Sequence, residues 1–164
     1  MQEAPLHFKT ITQVASLIES KQLSPVELTE TLLARIDAVD GNYLSYATVM
    51  ADQAMASARA AEAAISSGNY LGPLHGVPIA VKDLCFTTGV RTMGGAKVLR
   101  DHLPNFNATV VEKLQTAGAV ILGKLNLTEG AMAGYNPEFQ IPLNPWNTGR
   151  WSGASSSGSG VATA

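Results

Sequence analysis

Charge is scarce in this sequence of 164 residues. Asp, Glu, Lys and Arg make up 15% of it, against roughly 25% in an average soluble domain. The shortage points to surface covered by partner subunits or by further sequence. A net charge of −2 offers no basic stripe to a nucleic-acid backbone, and no run of like charges marks an interaction tail. A single cysteine, Cys85, excludes an intramolecular disulfide and a cysteine-based zinc cluster. His7, His75 and His102 are scattered, with no metal-ligand spacing. No apolar run approaches the ~18 residues of a spanning helix, and MQEAPLHFKT lacks the basic and apolar regions of a signal peptide. A cytoplasmic protein is expected, with no direct contact to nucleic acid or membrane.

What is present suits one globular domain of α/β class. Ile11, Val14, Ala15 and Ile18 fall at i, i+3, i+4 and i+7, one face of a helix. Ser24-Pro25-Val26-Glu27 is a helix start, with Ser24 as cap, Pro25 in the first turn and Glu27 able to close a capping box. Leu28, Leu32, Ile36 and Val39 line one face of that helix, which is expected to end at Gly41. A short strand over Tyr46–Val49 and an alanine-rich helix over Ala51–Ser67 follow. At Gly72 the texture changes. Val77–Val81 is a short apolar run bounded by Gly and Pro, the pattern of a buried strand. A helix opening at Thr109 and a second apolar run, Ala119–Leu122, complete a βαβ-like unit, so the sheet should be partly parallel. Pro137, Pro142 and Pro145 force an extended course on the long segment after Leu127, which predicts a functional wall or lid.

Three groups could carry chemistry. Lys82 follows the apolar run directly. Desolvation there lowers an amine's pKa and favours the neutral form, a general base. An ion pair with Asp83 is the competing reading, although successive strand side chains point to opposite faces. In the closing run WSGASSSGSGVATA, Ser155, Ser156, Ser157 and Ser159 offer hydroxyls framed by glycine. The run fits neither a G-x-S-x-G elbow nor a phosphate-binding loop, and composition alone reads it as a linker. Cys85 and His75 could form a thiol–imidazole pair, but a lone Cys in an apolar run is more often a small core residue.

Taken together, GPLHGVPIAVKD (residues 72–83), the segment Ala108–Lys124 and SGASSSGS (residues 152–159) resemble, in order, the motifs of the amidase signature family. Ser24-Pro25-Val26-Glu27-Leu28 is similar to that family's opening helices. The resemblance covers essentially the whole chain. It implies the N-terminal portion of one amidase domain: residues 1–70 mainly helical, and 71–164 the start of a mixed sheet flanked by helices, incomplete in this chain.

The activity implied is hydrolysis of a carboxamide to a carboxylic acid and ammonia or an amine, through a serine acyl-enzyme and without a cofactor or metal. Members use a nucleophilic serine, a bridging serine with a cis peptide bond, and a lysine. Lys82 matches the lysine and Ser155 the bridging serine. A non-proline cis bond costs about 3–4 kcal/mol and persists only where its surroundings enforce it, which would give the glycine frame a use. Ala154 stands where many members have glycine. The family's nucleophile falls beyond residue 164, so the chain is expected to be a fragment, inactive by itself. Met132, Ala133, Gly134 and Tyr135 are placed beside the site as candidate substrate-binding residues.

The partner expected is a small-molecule amide, with a homo-oligomer or partner subunits left open. Two other readings stand beside the amidase: the glutaminase subunit of a tRNA-dependent amidotransferase, and a non-catalytic remnant that keeps the scaffold as a binding module.

Overall fold

Helix α1 (Ile11–Glu19) begins where its sequence allows a reciprocal cap. Thr10 Oγ1 accepts the Gln13 N–H, and the Gln13 side chain accepts the Thr10 N–H. Helix α2 (Pro25–Tyr43) starts at Ser24, whose Oγ accepts the N–H groups of Val26 at 2.9 Å and Glu27 at 3.2 Å. The Ser24 hydroxyl gives its own proton to Glu62. These contacts belong to a computed structural model that describes residues 4–132 and 134–164.

The chain folds as two compact units, each assembled from separated stretches. Residues up to 36, 50–79 and 113–122 form the first, and 37–49, 80–112 and 123–164 form the second. The first unit is built on Val14, Ala15, Ile18, Leu23, Leu28, Ile65 and Val77. Full burial of one such aliphatic side chain contributes about 1.5–3 kcal/mol. A nine-residue helix such as α1 is marginal alone, so this packing, rather than intrinsic propensity, holds it. Helix α3 (Ala51–Ser66) turns Ala54, Ala58, Ala61 and Ile65 inward, a small-residue face that lets backbones approach.

Among the described residues the sheet has three strands in the order β1 (Tyr46–Val49), β3 (Val120–Leu125), β2 (Pro78–Lys82). β1 runs antiparallel to β3, with Tyr46 opposite Leu125 and Val49 opposite Gly123. β2 lies parallel to β3. The Val120 N–H reaches the Val77 carbonyl at 3.0 Å, and the Asp83 N–H reaches the Leu125 carbonyl at 2.8 Å, so the two strands advance together. Helix α4 (Thr109–Thr116) lies in the connection. The architecture is the mixed α/β arrangement expected. All six residues of β3 are buried.

Two elements differ from expectation. α2 does not stop at Gly41 but continues to Tyr43, and Leu44 at φ +60° makes the turn. The Asp40 carboxylate then accepts the N–H groups of Ser45 at 2.8 Å and Tyr46 at 3.1 Å. These local bonds fix the exit more firmly than one interior glycine weakens the helix. The second surprise is a helix inside the Gly/Ser run, α5 (Ser157–Thr163).

Candidate active site

Lys82 is the last residue of β2, and its side chain leaves the strand toward the Gly/Ser loop. Its Nζ donates to Ser155 Oγ at 2.6 Å and to Ser156 Oγ at 3.1 Å. Asp83, one residue on, projects to the opposite face, as strand alternation requires. There it meets Lys124 rather than Lys82: Asp83 Oδ1 lies 3.4 Å from Lys124 Nζ.

The Asp83–Lys124 pair is closed off from solvent, with side chains 1% and 0% exposed. Lys124 Nζ also donates to the Cys85 carbonyl at 2.7 Å and to Thr92 Oγ1 at 2.6 Å. Asp83 Oδ2 accepts the Met93 N–H at 2.9 Å. Burial pushes the Asp83 carboxyl above the ordinary carboxylate range, opposed by the Met93 N–H and by Lys124. Burial likewise holds the Lys124 amine below its ordinary value, opposed by Asp83. A lysine inside VILGKL was a readable signal, because a fully buried ammonium demands a partner.

Ser155 itself sits at φ +57°. Among the described residues no peptide bond is cis, which corrects the expectation of a cis bond at Ser155. The loop reverses direction through left-handed residues instead, with Gly153 at φ +94° just before. A single left-handed residue costs roughly 1–2 kcal/mol, less than a non-proline cis bond. The Ser155 N–H is held by Thr128 Oγ1 at 3.0 Å.

Beyond the turn, Ser157 and Gly158 are buried, and Gly158 is pressed against backbone. A Cβ there would lie 2.5 Å from the Ser45 carbonyl oxygen and 2.6 Å from both the N and O of Asn126. None of these atoms is the tip of a flexible side chain. Gly158→Ala is therefore expected to destabilise the protein by about 1–3 kcal/mol, the usual cost of overpacking. The check is the unfolding midpoint beside Gly160→Ala, whose Cβ would meet nothing within 4 Å. Equal midpoints for the two variants would contradict the close approach.

Of the four candidate substrate-binding residues, Ala133 lies outside the described residues. Met132 is 73% exposed. Gly134 is exposed, and its carbonyl accepts the Glu129 N–H at 2.8 Å. Tyr135 is half-buried, stands edge-on to Trp151, and donates its hydroxyl to the Gly153 carbonyl at 3.1 Å. The segment is thus joined to the serine loop. Thr128, which sequence reasoning passed over, makes a second link: its hydroxyl donates to the Met132 carbonyl while accepting from Ser155. An ordinary threonine after a strand carries no signal of that position.

His75 is buried, its Nδ1 accepts the Leu71 N–H at 3.1 Å, and burial lowers its pKa. Its ring closes on Gly118, where a Cβ would come within 2.4 Å of Cδ2. These are the contacts of a packed, neutral imidazole. Half-buried Cys85 offers its carbonyl, not its thiol, to Lys124. Among the described residues no group of three or more His, Cys, Asp or Glu side chains could hold a metal ion. No described helix is long and apolar enough to cross a membrane.

A family profile described as Amidase matches residues 27–164. The chain belongs to the amidase family. The Mycobacterium tuberculosis protein named as an amidase, AmiD, is 53% identical over 154 residues, covering 94% of this chain and 32% of that protein. A glutamyl-tRNA(Gln) amidotransferase subunit from Chloroflexus aurantiacus is 44% identical over 161 residues, covering 97% of this chain and 33% of its own length. Among solved structures, the peptide amidase of Stenotrophomonas maltophilia superposes with a TM-score of 0.89 at 29% identity, covering 96% of this chain and 34% of that one. The chain spans about a third of the length of these relatives. Its Lys82 strand and Ser155 loop therefore stand within an amidase-family scaffold.

Proposed function

We propose that the whole protein is an amidase that hydrolyses a small-molecule carboxamide through a serine acyl-enzyme, and that Lys82 and Ser155 are its proton relay. The contact of 2.6 Å from Lys82 Nζ to Ser155 Oγ carries this reading. In it, a serine elsewhere in the whole protein attacks the amide carbonyl. Ser155 takes that serine's proton as it passes its own to the Lys82 nitrogen. The same path then returns a proton to the leaving nitrogen, so that ammonia or an amine departs as the C–N bond breaks. Water next attacks the ester, giving the carboxylic acid and restoring the serine. Ser156, also bonded to Lys82, helps to hold the amine in place.

The test is turnover of a panel of carboxamides by the whole protein, together with labelling by a fluorophosphonate, which reacts with activated serines. Absence of both turnover and labelling would favour the non-catalytic remnant. A second reading, a glutaminase that works with partner subunits, is supported by the identity of 44% to the Chloroflexus amidotransferase component. Ammonia release from glutamine alone, raised by such partners, would favour it over the amidase.

The exposed Met132 is read as part of the substrate wall. Met132→Ala is expected to change the kcat/KM ratio between a bulky and a small acyl amide by about 10-fold or more, the scale of lost apolar contact in a pocket. Its unfolding midpoint should stay unchanged. Parallel loss of stability and of activity toward both amides would count against the assignment.

A further inference from the structure

Ser155 is a non-glycine residue in left-handed backbone, at φ +57°. That conformation aims its hydroxyl at Lys82, yet it is disfavoured for a serine and needs an external restraint. Besides the Lys82 contact to its hydroxyl, Ser155 is restrained at its backbone by a hydrogen bond from its N–H to Thr128 Oγ1 at 3.0 Å. Thr128 is fully buried, and its hydroxyl is used in both directions, accepting from Ser155 and donating to the Met132 carbonyl.

Thr128 is itself held rigidly. It follows β3 by three residues, on a stretch held by hydrogen bonds on either side of it. The Asn126 N–H reaches the Ser45 carbonyl at 2.8 Å, and Asn126 Nδ2 reaches the Leu44 carbonyl at 2.8 Å. The Gly158 N–H in turn reaches the Asn126 carbonyl at 2.9 Å. Just past Thr128, the Gly130 N–H donates to the Gly94 carbonyl at 2.8 Å, and the Ala131 N–H to the Thr128 carbonyl at 2.9 Å. A rigid base with one hydroxyl bonded to two loops is the arrangement of a positioning device.

We propose that Thr128 is a positioning residue for the Lys82–Ser155 relay, fixing the backbone of Ser155 and joining it to Met132. The role rests on the amidase reading above. Thr128 touches no reacting atom in it and acts through Ser155. Loss of the hydroxyl frees the Ser155 backbone, and small displacements of a reacting group are costly in rate.

The experiment compares wild type, Thr128→Val and Thr128→Ser in the whole protein. Valine keeps the shape and loses both hydrogen bonds; serine keeps both. Thr128→Val is expected to lower kcat by about 10–100-fold with KM little changed, and Thr128→Ser to restore most of it. The loss in kcat without a matching change in KM, rescued by the hydroxyl of serine, is the signature of positioning, which a general loss of stability would not give. Wild-type kcat in Thr128→Val would overturn the proposal, as would equal defects in the valine and serine variants. Thr128→Ala serves the same comparison should the valine variant not fold.

A crystal structure of the hydroxyl-less variant separates this proposal from the amidase reading. Ser155 leaving left-handed backbone and parting from Lys82 supports the positioning role even in a protein that turns over no amide. An unmoved Ser155 overturns it even in an active amidase.

Discussion

Lys82→Ala in the whole protein is expected to lower kcat by about 10²–10⁴-fold, the usual contribution of a positioned general acid–base group, with a much smaller change in KM. The expectation follows from where the side chain ends. Its Nζ is within hydrogen-bond reach of two hydroxyls, at 2.6 Å and 3.1 Å, while the neighbouring carboxylate, Asp83, faces away and is engaged by Lys124. Lys82 is thus bonded to groups that can pass a proton on. Lys82→Arg makes the sharper control, because a guanidinium keeps the charge and the donors but does not act as a base. Both variants should be similarly impaired if the amine accepts a proton, whereas arginine should rescue if the charge alone matters. Lys82→Ala retaining activity within about tenfold of wild type would remove this residue from the chemistry.

Lys124→Met is expected to have the largest effect on stability, about 3–5 kcal/mol, the cost of leaving a buried charge without its partner. Asp83→Asn should cost a similar amount for the reciprocal reason, although the asparagine side-chain oxygen can still accept the Met93 N–H. Burial acts against the charged form of both groups, so their attraction offsets a desolvation cost that each carries alone. It follows that the double variant should lose less than the sum of the two singles. Denaturant midpoints of the four proteins give the coupling directly. Additive losses would mean that the two side chains act independently and that the pair is not what holds the turn after Lys82. That turn also depends on the Asp83 backbone, whose N–H reaches Leu125 and whose carbonyl accepts from Gly94.

Elements with a strong local signal were legible in the sequence. The 3.6-residue period and caps gave α1 to α4, and the apolar runs after Gly72 and Gly118 gave the parallel pair of strands. Lys82 was legible too, because its place at the end of a buried strand limits where its side chain can go. The bridging serine was picked out by resemblance, not by its own surroundings in the sequence. Helix α5 was not legible: Ser and Gly favour turns and caps over helix interiors. Its seven residues are ordered by contacts far off in sequence, Gly158 on Ser45 and Asn126, with Val161 buried. The same holds for the left-handed Ser155 and for Thr128, whose meaning comes from segments 27 positions apart meeting at one hydroxyl. Lys124 was available to reasoning from its apolar neighbours, but its pairing with Asp83 was hidden by the long stretch of sequence between them.

The glycines of the closing run bear on how this stretch can vary. Gly153 needs its left-handed backbone but has open space where a side chain would go; Gly158 has ordinary backbone and no space; Gly160 has neither demand. An asparagine is thus tolerable at the first, nothing larger than hydrogen at the second, and almost any residue at the third. A stretch made largely of serine and glycine has as uneven a tolerance for change as any folded core. Its simplicity is a property of the alphabet, and its informational content lies in which glycine stands where.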